Sequence, residues 1–299
     1  MEMLRIENLQ KRFGDKEVLK GLNLSVAEHS VFGFVGKNGA GKTTTMKTVL
    51  GLLKADAGEI FVAGEPVTYG QTKTNRYVGY LPDVPEFYSF MTATEYLAFC
   101  GEITGMKKVE IKNRTEEMLA LVGLEGERHR IKGYSRGMKQ RLGIAQALFN
   151  RPKLLICDEP TSALDPVGRK EILDLLLAVR AETTVLFSTH ILSDVEKICT
   201  DVALLSDGEA KLQGKLSEVK SAYRNETYFL EMDSIEDLHR VLQAFPQMRK
   251  DSAGRLCFHK TAYGVHEVLQ FVADRRLSFI KLEREEPTLE TLFMEVTDR

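Results

Sequence analysis

The chain has 299 residues, enough for one large domain or a large and a small one, and its hydrophobic content of 43% suits a protein that buries a real core. A formal charge of −2 gives no bulk attraction to nucleic acid or to anionic lipid, so no nucleic-acid partner is expected. Four widely spaced cysteines (Cys100, Cys157, Cys199 and Cys257), none in a CxxC pair, argue against a disulfide framework or a zinc site and read as inert thiols in a reducing compartment.

The opening Met1–Phe13 carries charges where a signal peptide needs an apolar stretch. No apolar run approaches the roughly 18 residues of a membrane span, so at a membrane another polypeptide would have to do the crossing. A β-rich opening, Leu4–Val26 with Glu59–Ala63, predicts a small side sheet. Val31–Val35 (VFGFV) is a short buried strand that empties into a glycine-rich loop. A helix from Lys42 to about Leu50 follows, with Gly51 placed to end it. The interval Thr92–Asn150 reads as helical, and Thr92 with Glu95 has capping-box spacing. Lys153–Cys157 and Thr184–Ser188 read as strands buried on both faces, which makes the first two-thirds an α/β fold. From about Ser221 the pattern changes to strand Glu226–Met232, helix Ile235–Phe245 and two short strands around the Asp251–Gly254 turn. Helix Val265–Arg275 and strand Ser278–Glu283 complete a β-α-β-β-α-β order, the ferredoxin-like arrangement, and Thr288–Val296 adds a helix.

Gly36-Lys37-Asn38-Gly39-Ala40-Gly41-Lys42-Thr43 fits G-x-x-x-x-G-K-[ST] in full and stands between a buried strand and a helix, as a phosphate loop must. Its glycines let backbone N–H groups close on phosphates, and the helix start presents its positive end. Gly36, Asn38, Gly39, Gly41, Lys42, Thr43 and Thr44 are therefore candidate nucleotide contacts, with Lys42 directed to the β- and γ-phosphates and Thr43 to magnesium. Asp158 and Glu159 end an apolar strand that such a fold lays beside the phosphates. Asp158 suits magnesium, and Glu159, one residue on, suits a general base.

Three further segments narrow the reading. Tyr134-Ser135-Arg136-Gly137-Met138-Lys139-Gln140-Arg141 resembles the signature motif of ATP-binding cassette (ABC) proteins. Asp158–Asp165 resembles that family's acidic strand end and D-loop, and Ser188-Thr189-His190 its switch histidine; Phe13 stands where an aromatic ring stacks on adenine. The resemblance covers roughly residues 1–215. It implies a phosphate-loop NTPase (RecA-like) α/β core in a cassette domain at 1–220, with a helical subdomain at about 88–150, beside a small α+β (ferredoxin-like) domain at 221–299. It implies ATP and Mg2+ as cofactors, and a head-to-tail homodimer, or a pair with a related cassette subunit, around two ATP. In that dimer Ser135 and Gly137, at the start of a helix beginning near Met138, would reach the partner subunit's ATP, and His190 would steady the water beside Glu159. ATP over GTP is likewise implied by the family.

Two positions depart from the family pattern. Arg136 replaces a common glycine and is expected to face solvent, the alternative being that it lends charge near the phosphate. Asp83, in Tyr80-Leu81-Pro82-Asp83, replaces a glutamine; a carboxylate can still meet magnesium but cannot donate as an amide does. Both departures, with the tail Glu286–Thr297, resemble separate-subunit exporters. That resemblance implies an ATP-hydrolysing motor on the cytoplasmic face of the cell membrane, driving a separate transmembrane permease. The aromatic stretch Phe87, Tyr88, Phe90 and Met91 is either core or a permease contact. The alternatives are less well matched. Soluble ribosomal cassettes carry two copies of each motif, and chromosome-maintenance ATPases insert long coiled coils where only about 90 residues separate Thr43 from Tyr134. An unrelated phosphate-loop kinase leaves the signature and His190 unexplained.

Overall fold

A computed structural model describes residues 2–71, 73–222, 226–285 and 288–297. Two compact units divide the chain, the larger formed by residues up to Ser217 together with those from Val296 onward, and the smaller by Glu218–Glu295.

The larger unit opens with two antiparallel strands, β1 (Glu2–Phe13) and β2 (Lys16–Ala27). After β3 (Val31–Val35) and α1 (Lys42–Val49), the strands β4 (Ala57–Val62) and β5 (Glu65–Pro66) extend that pair into a sheet of order β2-β1-β4-β5. The expected side sheet is therefore present. Its inward residues, among them Leu4, Ile6, Leu22 and Ile60, share a core with Phe34, Met46 and Ile156. Alternation along β1 and β2 puts these apolar side chains on one face, and their burial supplies the packing energy.

The main sheet follows from β6 (Val78–Leu81), then the helices α2 (Ala93–Ile103), α3 (Lys108–Leu121) and α4 (Arg136–Leu148). The chain continues through β7 (Leu154–Asp158), α5 (Pro166–Val179), β8 (Thr184–Thr189), α6 (Leu192–Ile198), β9 (Asp201–Ser206) and β10 (Glu209–Lys215). The strand order is β10-β9-β3-β8-β7-β6, parallel from β9 to β6, with β10 antiparallel at one edge. Every residue of β3, β7 and β8 is buried, which is why these strands read as continuous apolar runs without alternation.

The helical interval resolves into α2, α3 and α4, and the Thr92–Glu95 capping box is formed, with the Thr92 N–H donating to Glu95 at 2.8 Å. The buried Arg114 of α3 donates to the carbonyls of Leu148 and Phe149 at 2.6 and 3.0 Å, satisfying the end of α4. Helix α4 begins at Arg136, two residues before the expected start, because the Ser135 hydroxyl accepts the Met138 N–H at 3.2 Å and acts as the N-cap. The helix also lies very close to β6. A Cβ at Gly79 would collide with the Ala147 carbonyl oxygen, and one at Gly143 would come within 2.5 Å of Leu81.

Beyond α7 (Leu216–Ala222) the smaller unit contains β11 (Thr227–Met232), α8 (Ile235–Ala244), β12 (Arg249–Lys250), β13 (Leu256–His259), α9 (Val265–Asp274) and β14 (Phe279–Arg284). A final helix, α10 (Leu289–Thr297), follows, while Glu286 and Pro287 of the expected tail lie outside the described residues. The sheet order is β12-β13-β11-β14, antiparallel throughout, as a ferredoxin-like arrangement requires. Leu238, Val241 and Phe245 of α8 and its C-cap fall at helical spacing and bury against Leu230, Leu256 and Phe258 of the sheet.

Candidate functional site

Strand β3 ends at Val35, and the next eight residues turn back into α1, so the loop Gly36–Thr43 stands at the carboxyl edge of the parallel sheet. Gly41 has φ +112°, a left-handed value, and a Cβ there would also meet Leu19 at 2.7 Å; both conformation and space require glycine. Lys42 follows as the first residue of α1, whose first turn carries no acidic side chain. The Lys42 side chain is 6% exposed and folds back into the loop, its ammonium donating to the Gly36 carbonyl at 2.6 Å and the Lys37 carbonyl at 3.4 Å.

Parallel pairing of β7 with β8 sets Asp158 beside Ser188. Thr43 donates its hydroxyl to Asp158 Oδ2 at 2.7 Å, and Ser188 donates to Asp158 Oδ1 at 2.5 Å. The Glu159 N–H in turn donates to the Ser188 carbonyl and hydroxyl, both at 3.1 Å. These bonds hold Glu159 at φ +49°, an uncommon conformation for a residue with a side chain and a form of strain that concentrates at functional sites. One Glu159 carboxylate oxygen lies 3.2 Å from the Lys42 ammonium, and the other lies 2.9 Å from Nδ1 of His190, just past the end of β8. Ammonium, carboxylate and imidazole thus form one chain of contacts from the start of α1 to the ends of β7 and β8.

A cleft of about 450 Å³ is lined by Asn38, Gly39, Gly41, Lys42, Thr43 and Thr44 together with Val18, Asp83, Asp158 and Glu159. A second cleft of about 420 Å³ shares Asn38 and Gly39 and continues along Lys16–Val18 to the β9–β10 turn at Asp207 and Gly208. The structure therefore gathers the phosphate-loop residues, both carboxylates and Asp83 into one place. Gly36 forms the loop's start, and its carbonyl holds Lys42. Phe13 lines neither cleft. It is 49% exposed at the end of β1, with the Lys11 ammonium 5.4 Å from its ring centre. Ser135 and Gly137, at the start of α4, are also outside both clefts.

Thr43 and Asp158 supply a hydroxyl and a carboxylate within hydrogen-bond distance, the hard oxygen donors that suit magnesium, which completes its shell with phosphate oxygens and water. Asp83 adds a third carboxylate on the wall of the same cleft. Its Oδ1 accepts from the Ser162 hydroxyl at 2.8 Å and faces the Arg136 guanidinium at 3.8 Å. Arg136 is half-exposed and so faces solvent as expected, while its guanidinium also lies beside Asp83. Burial, and after it the charge of Asp158, pushes the Tyr80 hydroxyl up to about 12, so it stays protonated beside the site. Burial likewise raises the Cys157 and Cys199 thiols, in keeping with inert cysteines.

Two contacts of this region have no counterpart among the sequence candidates. Ser188 braces the Asp158 carboxylate and the Glu159 backbone N–H; its position in the Ser188–His190 run was the available signal. Thr161 donates to Asp194 Oδ2 at 2.7 Å with both residues fully buried, which ties the loop after Glu159 to the helix after His190. The aromatic stretch is divided. Tyr88 and Phe90 are exposed, while Phe87 packs edge-on against Tyr96 at 5.1 Å. Among the described residues no helix is long and apolar enough to cross a membrane.

Residues 19–162 match the family model described as ABC transporter, and residues 214–297 match the ATP-binding protein DrrA1-3-like, C-terminal domain. The bacitracin transport ATP-binding protein BcrA of Bacillus licheniformis is 33% identical over 301 residues, covering 98% of this chain and 97% of that protein. The linearmycin resistance ATP-binding protein LnrL of Bacillus subtilis is 31% identical over 312 residues, covering 99% of each. Among solved structures, cbiO1 from Clostridium perfringens, part of the ABC transporter complex cbiONQ, is similar with a TM-score of 0.68 at 28% identity, covering 82% of this chain and 96% of that one.

Proposed function

The chain belongs to the ABC transporter ATP-binding proteins, a family of ATP-hydrolysing subunits, and on that premise we propose that it is the motor of an exporter with a separate membrane permease. The observation that carries the chemistry is the Lys42–Glu159–His190 chain of contacts at the mouth of a phosphate-loop cleft. Lys42, now satisfied by loop carbonyls, would exchange them for the β- and γ-phosphates of ATP. Its release frees Glu159 to accept a proton from the attacking water. His190 orients the carboxylate from its far oxygen and offers its ring to the γ-phosphate. Asp158, fixed by Ser188, and Thr43 would hold magnesium, with Asp83 in reach of its water shell. Bound magnesium neutralises charge developing on the phosphates.

The position of Ser135 and Gly137 outside their own subunit's clefts fits a head-to-tail homodimer, or a pair with a related subunit, in which they cap the partner's ATP. The exposed N-terminus of α4 suits an anion, since its first N–H groups have no helical partner. Phe13 would close on adenine from the edge of the side sheet. ATP binding then joins two subunits and hydrolysis separates them, and the motion passes to a permease at the cytoplasmic face of the membrane. The exporter reading is supported by the relatives named for bacitracin transport and linearmycin resistance, which match almost from end to end. The chain divides into a cassette domain at about 1–220, with helices of the 88–150 interval as its subdomain, and a C-terminal domain at 221–299.

The test is capture of tagged Glu159→Gln from gently solubilised membranes of the native host in the presence of ATP. A polytopic membrane protein recovered in stoichiometric amount is the expected result. Recovery of ribosomes or nucleic acid, or of no partner, would overturn the exporter reading while leaving the ATPase chemistry intact.

A further inference from the structure

The two positions that depart from the family pattern stand against each other. Asp83 and Arg136 are distant in sequence, yet Arg136 Nη2 lies 3.8 Å from Asp83 Oδ1, the same oxygen that accepts the Ser162 hydroxyl at 2.8 Å. Three segments meet there: the loop after β6, the first residue of α4, and the loop after β7. The close approach of α4 to β6 is permitted by Gly79 and Gly143, where no side chain fits. Asp83 also lines the phosphate-loop cleft with Thr43 and Asp158. One carboxylate is therefore shared between a cation on the signature helix and the position where a divalent cation would sit.

We propose that Asp83 and Arg136 form an intrasubunit latch that is opened when magnesium nucleotide fills the subunit's own cleft, which makes Arg136 a positioning residue for the start of the signature helix. This inference rests on the nucleotide-site reading above. In the empty subunit, Asp83 ties the start of α4 back to the loops after β6 and β7. When a divalent cation enters beside Thr43 and Asp158, it competes for the Asp83 carboxylate with a charge twice that of the guanidinium. Arg136 is then released at the exposed end of α4, beside Ser135 and Gly137. Both side chains of the pair are about half exposed (50% and 49%), so the latch is weak and sensitive to salt. Such a weak contact suits a switch, because a nucleotide-linked cation can outbid it.

The test uses magnesium ADP as the probe, because ADP reads a subunit's own cleft without a γ-phosphate to bridge two subunits. Equilibrium binding is measured for the full chain at low and high salt. Removing the latch with Arg136→Gln should tighten the Kd about 2- to 5-fold, the equivalent of roughly 0.4–1 kcal/mol for an exposed pair. The gain should shrink at high salt, and Arg136→Lys should keep the wild-type value. In an Asp83→Asn background, Arg136→Gln should change nothing further. An equal gain in both backgrounds, or no gain in either, would overturn the latch. Absence of any nucleotide binding by the wild-type chain would instead remove the site reading on which it rests. Because binding is the readout, a merely structural role for Arg136, which would lower stability without this charge and salt dependence, is distinguished.

Discussion

Replacing Thr161 by Val removes one hydroxyl while keeping nearly all the bulk, and it isolates the only hydrogen bond to the Asp194 carboxylate among the described residues. Both side chains are fully buried; Thr161 donates to Asp194 Oδ2 at 2.7 Å, and Asp194 Oδ1 has no hydrogen-bond partner. The nearest cation, Arg169, lies at 3.9 Å, beyond hydrogen-bond reach. Thr161→Val therefore leaves a buried carboxylate with no donor, and the loss of a hydrogen bond to a charged group predicts destabilisation by about 2–3 kcal/mol. Asp194→Asn retains an acceptor for the Thr161 hydroxyl and should cost less, about 1 kcal/mol. In the double variant Thr161→Val/Asp194→Leu both polar partners are gone, and the stability should recover to within about 1 kcal/mol of the wild type, since an apolar pair of the same branched shape replaces a hydrogen-bonded one. Urea unfolding followed by far-ultraviolet circular dichroism reads all three, taking the transition of the larger unit. Because the contact joins the loop after Glu159 to the helix after His190, ATP turnover of Thr161→Val should fall alongside. A Thr161→Val variant within about 0.5 kcal/mol of the wild type would refute the reasoning, since it would mean that the carboxylate does not depend on that hydroxyl.

Glu159→Gln keeps the shape of the side chain and should preserve nucleotide binding while slowing phosphate release by roughly 10²–10⁴-fold, the size of a general-base contribution; an unaltered rate would take Glu159 out of that role. Lys42→Ala should instead weaken ATP binding about 10- to 100-fold, the value of a charge-assisted contact of 1.5–3 kcal/mol, as read by calorimetry. Gly41→Ala, at φ +112° and 2.7 Å from Leu19, should lower stability by about 1–3 kcal/mol and loosen the loop, visible as a fall in Tm with weaker ATP binding. The Thr92 N–H and hydroxyl hold the Glu95 carboxyl below its usual range. A depressed folded value means that the cap's contribution is present above the unfolded pKa and is lost as pH falls through the folded one; an NMR titration placing Glu95 at or above the ordinary glutamate range would contradict it.

Where a structural element is written in one contiguous stretch, the sequence alone was enough. The phosphate loop is a strand, a turn and a helix start within a dozen residues, and its glycine and lysine requirements are local. The same holds for the Thr92 capping box, the fully buried β7 and β8, and the β-α-β-β-α-β order of the smaller unit, whose observed ends differ by a residue or two from the expected ones. Helix α4 starts at Arg136, two residues before the expected Met138, because Ser135, as N-cap, sets the boundary.

Tertiary structure decided everything that depends on which separated segments meet. Parallel register between β7 and β8 sets Ser188 against Asp158 and brings His190 to Glu159. Packing of α4 close on β6, which Gly79 and Gly143 allow, accompanies the meeting of Arg136 with Asp83. Nothing in the residues around Asp83 signals that approach, because the interaction is between charges on two elements whose spacing is set by packing elsewhere. Sequence thus determined the chemistry that each segment can offer, and the long-range contacts of the sheet and its helices determined which of those groups act together.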